Sequence, residues 1–307
     1  MGFKIKLSYF MNMIMDKDLS INNKEVKNFK TFCIIGDPIS HSLSPLIHNA
    51  SFAALKLNYS YIAFRVPSSE LEISVNSLKT INIAGFNVTI PHKVDIINYI
   101  DELSEDAKTA GAINTVKNEN GKFIGFNTDI YGLIAPLEER KFSFKDSEIL
   151  ILGAGGSCRA ALVGLSKKAI NKITIVNRDQ KKINDVVLLG KNLGLNCIPI
   201  DYNDQNVLNN VSEKSHLIIN TTSIGLNNEP SPLKSDFMNK DAIVFDIVYR
   251  PLYTDLLNKA KVTGCNIVFG YEMLLYQAAK SFEIWTGLPA PLEIMKKSLF
   301  GIFGEPK

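Results

Sequence analysis

"ILILGAGGSCRAALVGLSKKA", residues 149–169, runs an apolar strand into a glycine turn and then a helix, and "KITIVN" at 172–177 supplies a second strand on schedule. That order is a βαβ unit. A dinucleotide fold needs glycine where the backbone leaves the first strand sharply and where a pyrophosphate approaches the helix N-terminus. Gly153, Gly155 and Gly156, with Ala154 between them, stand in those places. Cys158 replaces the third glycine of the common G-x-G-x-x-G pattern, so the glycines alone would also suit a plain structural turn. The strand before, the helix after and the second strand are the context the motif requires.

The end of that second strand bears on which dinucleotide is held. An NAD site usually places an acidic residue about 20 positions past the glycines to take the ribose hydroxyls. Here the run is "VNRDQKK". Asn177 stands in place of the acid, and Arg178 with Lys182 offers positive charge to a 2′-phosphate, which favours NADP. Asp179 cuts the other way if its carboxylate turns inward, and is a solvated turn acid if it turns outward.

Outward from this unit the alternation continues. On the N-terminal side "TFCIIGDP", "YIAFRV" and "IAGFNVTI" read as strands, with helical stretches over "SELEISVNSLKT" and "HKVDIINYID". "YGLIAPLEER", residues 131–140, reads as the connection into the glycine-turn region. Beyond it come strands in "HLIIN", "AIVFDIV" and "NIVFG", then two amphipathic helices over 271–287 and 291–303. The fold class is α/β with mostly parallel sheets.

A length of 307 residues favours two domains. With 46% hydrophobic and 21% charged residues and a net charge of +3, the chain has no electrostatic footprint for nucleic acid. No run approaches the roughly 20 apolar residues of a membrane span, and no secretory signal precedes the fold. Cys33, Cys158, Cys197 and Cys265 lie far apart without paired spacing, which argues against a metal site or a disulfide framework. A cytoplasmic enzyme of small molecules, monomer or homodimer, fits best. The lysine-rich leader 1–30 is expected to be loosely ordered and, with Met11, Met13 and Met15 available, in part an upstream start.

Four stretches precede the glycine turn: "GDPISHSLSPLIHNA" at 36–50, "GFNVTIPHK" at 85–93, "GAINTV" at 111–116 and "GFNTDIYG" at 125–132. In this order, and with "NTTSIGL", "DIVYRPLYTDLL" and "GYEMLLYQAAKSFEIWTG" after it, they resemble the shikimate dehydrogenase (shikimate/quinate dehydrogenase) family from about residue 31 to the end. The resemblance implies an N-terminal α/β substrate domain over 31–130, completed by C-terminal helices at 271–307, and a Rossmann dinucleotide-binding domain over 131–270. The active site would lie in the cleft between them. It implies reversible NADPH-dependent reduction of 3-dehydroshikimate to shikimate, on the way to the aromatic amino acids. By the same resemblance Lys93 and Asp129 are the catalytic pair, and Ser42 and Ser44 hold the substrate carboxylate. Thr89, Asn114, Tyr249 and Gln277 match other substrate positions, with Asn87 beside them. Gly153 to Gly156, Asn177, Arg178 and Lys182 match the cofactor's phosphate contacts, and Ile247 and Gly270 match positions near the nicotinamide.

The residue chemistry agrees. A substrate with one carboxylate and three hydroxyls needs many donors and acceptors of moderate polarity, which Ser, Thr, Asn, Asp, Lys and Gln provide. Ser42 and Ser44, just before a helix, could also serve as its N-cap. His41, His48 and His92 show no triad or ligand pattern and read as structural. Hydride delivered to a ketone makes an alkoxide that must gain a proton, and a lysine, whose amine titrates near pH ~10.4 in models, can give it. Three rivals stand beside this reading. A quinate/shikimate dehydrogenase could use NAD, and a ligand-sensing regulator could keep the fold without chemistry, although both Lys93 and Asp129 are retained. A methylene-tetrahydrofolate dehydrogenase would not explain "SHSLSP".

Overall fold

The computed structural model describes residues 29–304, so the leader expected to be loosely ordered lies, up to residue 28, outside the described residues. Two six-stranded sheets carry the fold. The first is ordered β2-β1-β3-β5-β6-β4, from β1 (Lys30–Gly36), β2 (Tyr59–Arg65), β3 (Gly85–Val88), β4 (Glu102–Leu103), β5 (Thr115–Glu119) and β6 (Lys122–Phe126). Strand β1 pairs in parallel with β2 and β3, while β3, β5 and β6 run antiparallel. Asn120 and Gly121, both at positive φ, make the tight β5–β6 turn that such a pair of residues favours.

The second sheet is all parallel, ordered β12-β11-β10-β7-β8-β9. Its strands are β7 (Glu148–Leu152), β8 (Lys172–Asn177), β9 (Cys197–Asp201), β10 (Leu217–Asn220), β11 (Ile243–Asp246) and β12 (Asn266–Val268). The chain order reverses between β7 and β10. In open α/β sheets that reversal leaves a crevice beyond the carboxyl ends of the strands, where ligands bind.

Helices α1 (Ser44–Ala54), α2 (Leu71–Thr80) and α3 (Glu105–Ala110) belong to the first half, and α4 (Asp129–Glu139) leads out of it. Helices α5 (Gly156–Ser166), α6 (Gln180–Asn192), α7 (Gln205–Lys214) and α8 (Asp255–Thr263) serve the second sheet. The chain then returns in α9 (Gly270–Thr286) and α10 (Leu292–Phe303). Phe282, Trp285, Met295 and Leu299 share one buried core with Phe32, Phe52 and Tyr61 of the first half. Trp285 Nε1 also donates to the Val116 carbonyl of β5 at 2.9 Å. Most of the first 13 residues of α9 are buried, Trp285 among those that follow, so this helix is enclosed rather than amphipathic: α4 covers one side of it and the first sheet the other.

A second departure lies at 92–101. The stretch expected to be helical forms only a short 3₁₀ turn, Asp95–Tyr99. His92 helps to explain this, since its Nε2 is 2.6 Å from the Val66 carbonyl, and the Lys93 carbonyl accepts from Ile113 N at 2.8 Å instead of a helical partner.

Candidate active site

Between the two sheets lies a cavity of about 370 Å³. Every residue proposed for substrate or catalysis lines it: Ser42, Ser44, Asn87, Thr89, Lys93, Asn114, Asp129, Tyr249 and Gln277, with Ile247 and Gly270 of the cofactor set. Most of the segments that supply them are strand ends, helix starts and the loops between them. Lys93 follows β3 by a few residues, Asp129 opens α4, and Gln277 sits midway along α9.

The centre of the site is an ion pair. Lys93 Nζ donates to Asp129 Oδ2 at 2.6 Å, with the two side chains only 15% and 4% exposed. Asp129 Oδ1 accepts from Asn114 Nδ2 at 2.8 Å. Asn114 is itself locked, because its Oδ1 accepts from Thr128 N at 2.7 Å. The carboxylate is therefore oriented by a neutral amide on one side and faces the ammonium on the other. Carboxylate oxygens accept more than one hydrogen bond, so capacity remains for a ligand hydroxyl.

Asn87 lines the cavity and also ties together the groups behind it. Its Nδ2 donates to the Asn114 carbonyl, Thr115 Oγ1 and Ser281 Oγ at 3.0–3.1 Å, and its Oδ1 accepts from Tyr61 Oη at 2.6 Å. With Thr128 bonded to both Thr115 and Ser281, these groups form a buried polar floor beneath Asp129. Thr115, Thr128 and Ser281 lie within "GAINTV", "GFNTDIYG" and "GYEMLLYQAAKSFEIWTG", but those stretches assign them no role, since their alignment depends on α9 returning to the first sheet.

Ser44 is the first residue of α1, whose cap position is Leu43 without a side-chain bond. Ser42 Oγ accepts from Ser44 N at 3.3 Å, a local turn just ahead of α1. Tyr249 closes over this end of the cavity. Burial pushes its phenol up, while hydrogen bonds that its oxygen accepts from the Leu43 backbone and from Ser42 pull it down.

Among the histidines, His48 is fully buried, stacks on Tyr61 at 4.5 Å and is held neutral by burial, with its value down to about 3. His92 is a backbone anchor, whereas His41 does line the cavity. Ser157, Thr222, Ser223, Leu226, Asn227, Val248 and Met273 also line it without having been singled out. Thr222 to Leu226 lie within "NTTSIGL", so a signal for them was present.

The cofactor residues form a second group along the carboxyl edge of the parallel sheet. Gly153 has φ +111° and a Cβ there would fall 2.6 Å from Thr221 Oγ1, so the fold itself demands glycine. Gly155 is different: φ is −95°, and a Cβ would meet nothing within 4 Å among the described residues. Neither backbone nor packing requires glycine at 155, so the open space before the α5 N-terminus suits a pyrophosphate. A Cβ on Gly156 would stand 3.2 Å from Lys93 Cβ. Cys158, at the third glycine's place, is wholly buried in the core beneath α5.

Arg178, just past Asn177 at the tip of β8, lies over the Tyr202 ring at 4.6 Å and donates to its hydroxyl at 3.0 Å. Asp179 caps α6, accepting from Lys182 N at 3.1 Å, and its other oxygen is 3.8 Å from Lys182 Nζ. The donor set fits a dinucleotide with a 2′-phosphate: an uncluttered helix N-terminus, a guanidinium and a nearby ammonium.

A parallel sheet with a glycine turn at its reversal, facing a buried Lys–Asp pair across a polar cavity, defines a two-domain dinucleotide-dependent oxidoreductase. Models of the shikimate dehydrogenase substrate binding domain, of shikimate / quinate 5-dehydrogenase and of the shikimate 5′-dehydrogenase C-terminal domain match residues 34–116, 136–231 and 270–300. The chain belongs to the shikimate dehydrogenase family. It is 47% identical over 276 residues to the shikimate dehydrogenase (NADP(+)) of Nitrosopumilus maritimus, covering 89% of this chain and 99% of that protein. Among solved structures it is similar to shikimate 5-dehydrogenase from Listeria monocytogenes in complex with shikimate and NAD, with TM-score 0.79 and 33% identity over 89% and 96% of the chains. It is also similar to the Thermus thermophilus enzyme in complex with NADP(H) and shikimate, with TM-score 0.77 and 31% identity over 88% and 98%. Among the described residues no helix is long and apolar enough to cross a membrane.

Proposed function

We propose that this chain is an NADP-dependent shikimate dehydrogenase, reversibly reducing 3-dehydroshikimate to shikimate for chorismate and aromatic amino acid synthesis. The observation that carries the reading is the Lys93–Asp129 pair, 2.6 Å apart at the bottom of a cavity that Gly270 and Ile247 also line. Residues 31–130 with 271–304 form the substrate half and 131–270 the dinucleotide half. The protein acts in the cytoplasm as a monomer or homodimer.

NADPH, when bound, supplies the hydride. Lys93 stands ready to donate the proton: its ammonium polarises the substrate carbonyl and passes a proton to the oxygen as negative charge develops there. In the oxidative direction the same amine accepts that proton. Asp129, oriented by Asn114 and bonded to Lys93, holds the lysine in place and accepts a hydrogen bond from a neighbouring substrate hydroxyl. Ser42, Ser44 and Tyr249 take the carboxylate, with hydroxyl donors doing what an arginine would do elsewhere. Leu226, Ile247, Val248 and Met273 are among the apolar residues of the wall and exclude water from the reacting centre.

Initial rates with shikimate and with quinate, each with NADP and with NAD, test the assignment. Turnover highest for shikimate with NADP supports it. Turnover highest for quinate with NAD would replace it with the quinate dehydrogenase reading.

A further inference from the structure

Two loops of the parallel sheet line the cavity, residues 222–227 after β10 and 247–250 after β11. The strands that launch them are neighbours, and their last residues, Asn220 and Asp246, pair in register. Neither of these residues lines the cavity itself. Asp246 has no exposed surface, and an unpaired carboxylate in such a place is strongly disfavoured.

Asp246 has three neutral donors, each on a different segment. Its Oδ1 accepts from Asn220 Nδ2 at 2.8 Å and from Val248 N at 3.0 Å. Its Oδ2 accepts from Thr254 Oγ1 at 2.6 Å, and Thr254 is the N-cap of α8. Asn220 carries the connection into the other loop. Its Nδ2 also donates to the Ile224 carbonyl at 3.1 Å, and its Oδ1 accepts from Thr222 N and Thr222 Oγ1 at 3.0 and 2.6 Å. Thr222 Oγ1 in turn accepts from Ile224 N at 3.0 Å. A continuous ladder thus joins α8, the 247–250 loop and the 222–227 loop. Apolar side chains could seal the two strand ends, but only a buried multi-acceptor fixes the backbone of both loops at once.

We propose that Asp246 and Asn220 are a positioning pair for the dehydrogenase reaction, holding the 222–227 and 247–250 loops in one arrangement so that both meet cofactor and substrate together. The kinetic part of this inference rests on the proposed function. Burial raises the Asp246 carboxyl, from 3.8 to about 6, the mark of a group kept in place against its solvation.

The test uses the full chain and the variants Asp246→Ala, Asn220→Ala, their double variant and Asp246→Asn. The asparagine keeps an acceptor for Asn220 Nδ2 and Val248 N and turns a donor toward Thr254 Oγ1, which can accept. Hydrogen exchange followed by mass spectrometry reads loop order without any reliance on activity. Protection in 221–227 and 247–250 is expected to fall together in each alanine variant and to return in Asp246→Asn. In kinetics, each alanine variant is expected to lower kcat and raise KM for the dinucleotide, reducing kcat/KM by roughly 10- to 100-fold, the scale of a small misplacement of reacting groups. The double variant should fall no further than the worse single one. If Asp246→Ala does not fold, Asn220→Ala and Asp246→Asn carry the same two comparisons. The proposal is overturned if the alanine variants lower only the melting temperature, if one loop loses protection without the other, or if Asp246→Asn behaves like Asp246→Ala. A wild-type chain without turnover of shikimate would instead count against the proposed function, and the exchange comparison would still decide the loop coupling.

Discussion

A methyl group at position 156 would stand 3.2 Å from Lys93 Cβ and 3.4 Å from its Cδ. The glycine that opens the dinucleotide helix and the stem of the proposed proton donor therefore pack on each other, although they come from different sheets. On the proposed function, this contact ties the glycine turn to the catalytic lysine as well as to the cofactor.

The three glycines should accordingly respond differently to alanine. Gly153→Ala should unfold or strongly destabilise the protein, since its positive φ and the 2.6 Å approach to Thr221 leave no room. Gly155→Ala should keep the wild-type melting temperature but raise KM for NADP, because its added methyl enters only open space. Gly156→Ala should fold and lower kcat, because the methyl presses on Lys93. Thermal melts and steady-state rates on the three variants check this, and equal melting temperatures for all three would refute it.

Lys93→Ala should depress kcat by roughly 10²-fold or more, with KM for shikimate within a small factor, because its proton and charge matter most in the transition state. Asp129→Asn should lower kcat and raise KM together, since the carboxylate touches both the lysine and, on the proposed mechanism, a substrate hydroxyl. Near-normal turnover of Lys93→Ala from pH 6 to 10 would remove the lysine from the chemistry.

On the proposed function, Arg178 and Asp179 bear on cofactor choice. Arg178→Ala should raise KM for NADP by roughly 10- to 100-fold more than for NAD, the range expected for one charge-assisted hydrogen bond. Asp179→Ser keeps an N-cap for α6 and removes a negative charge 3.8 Å from the Lys182 ammonium, so it should lower KM for NADP and leave NAD little changed. Parallel effects on both cofactors would show that neither residue discriminates between them.

Asp246 also predicts a pH dependence of stability. Its folded-state value of about 6 lies above the ordinary 3.8, so between the two the folded protein binds the extra proton. Its contribution to stability is therefore greatest below pH 4, falls as pH rises to about 6, and is constant beyond. The total is about 3 kcal/mol. Chemical denaturation of the wild type and Asp246→Asn across pH 4–7 should show the variant gaining relative stability as pH rises. A constant difference across that range would contradict the raised value.

Much of the molecule was legible in the chain. The 149–177 stretch determined a parallel βαβ unit because an apolar run, a glycine turn and a helical period are local properties, set by sterics and burial within about 30 residues. The resemblance of the ordered motifs to a known family singled out Lys93, Asp129 and the two serines; Ser44 and Asp129 open helices, and Lys93 lies in the loop that follows β3, where open α/β sheets expose reactive groups. Tertiary structure decided what those groups touch. The sequence made α9 amphipathic, but packing enclosed it, and only then do Ser281 and Gln277 meet Thr115, Thr128 and Asn114 across more than 150 positions. Asn87, which reads as a substrate group, lines the cavity and also joins that floor. The Asn220–Asp246 fastening could not be read in advance either, because a side-chain hydrogen bond between adjacent parallel strands depends on strand order and register, and a single strand's residues specify neither.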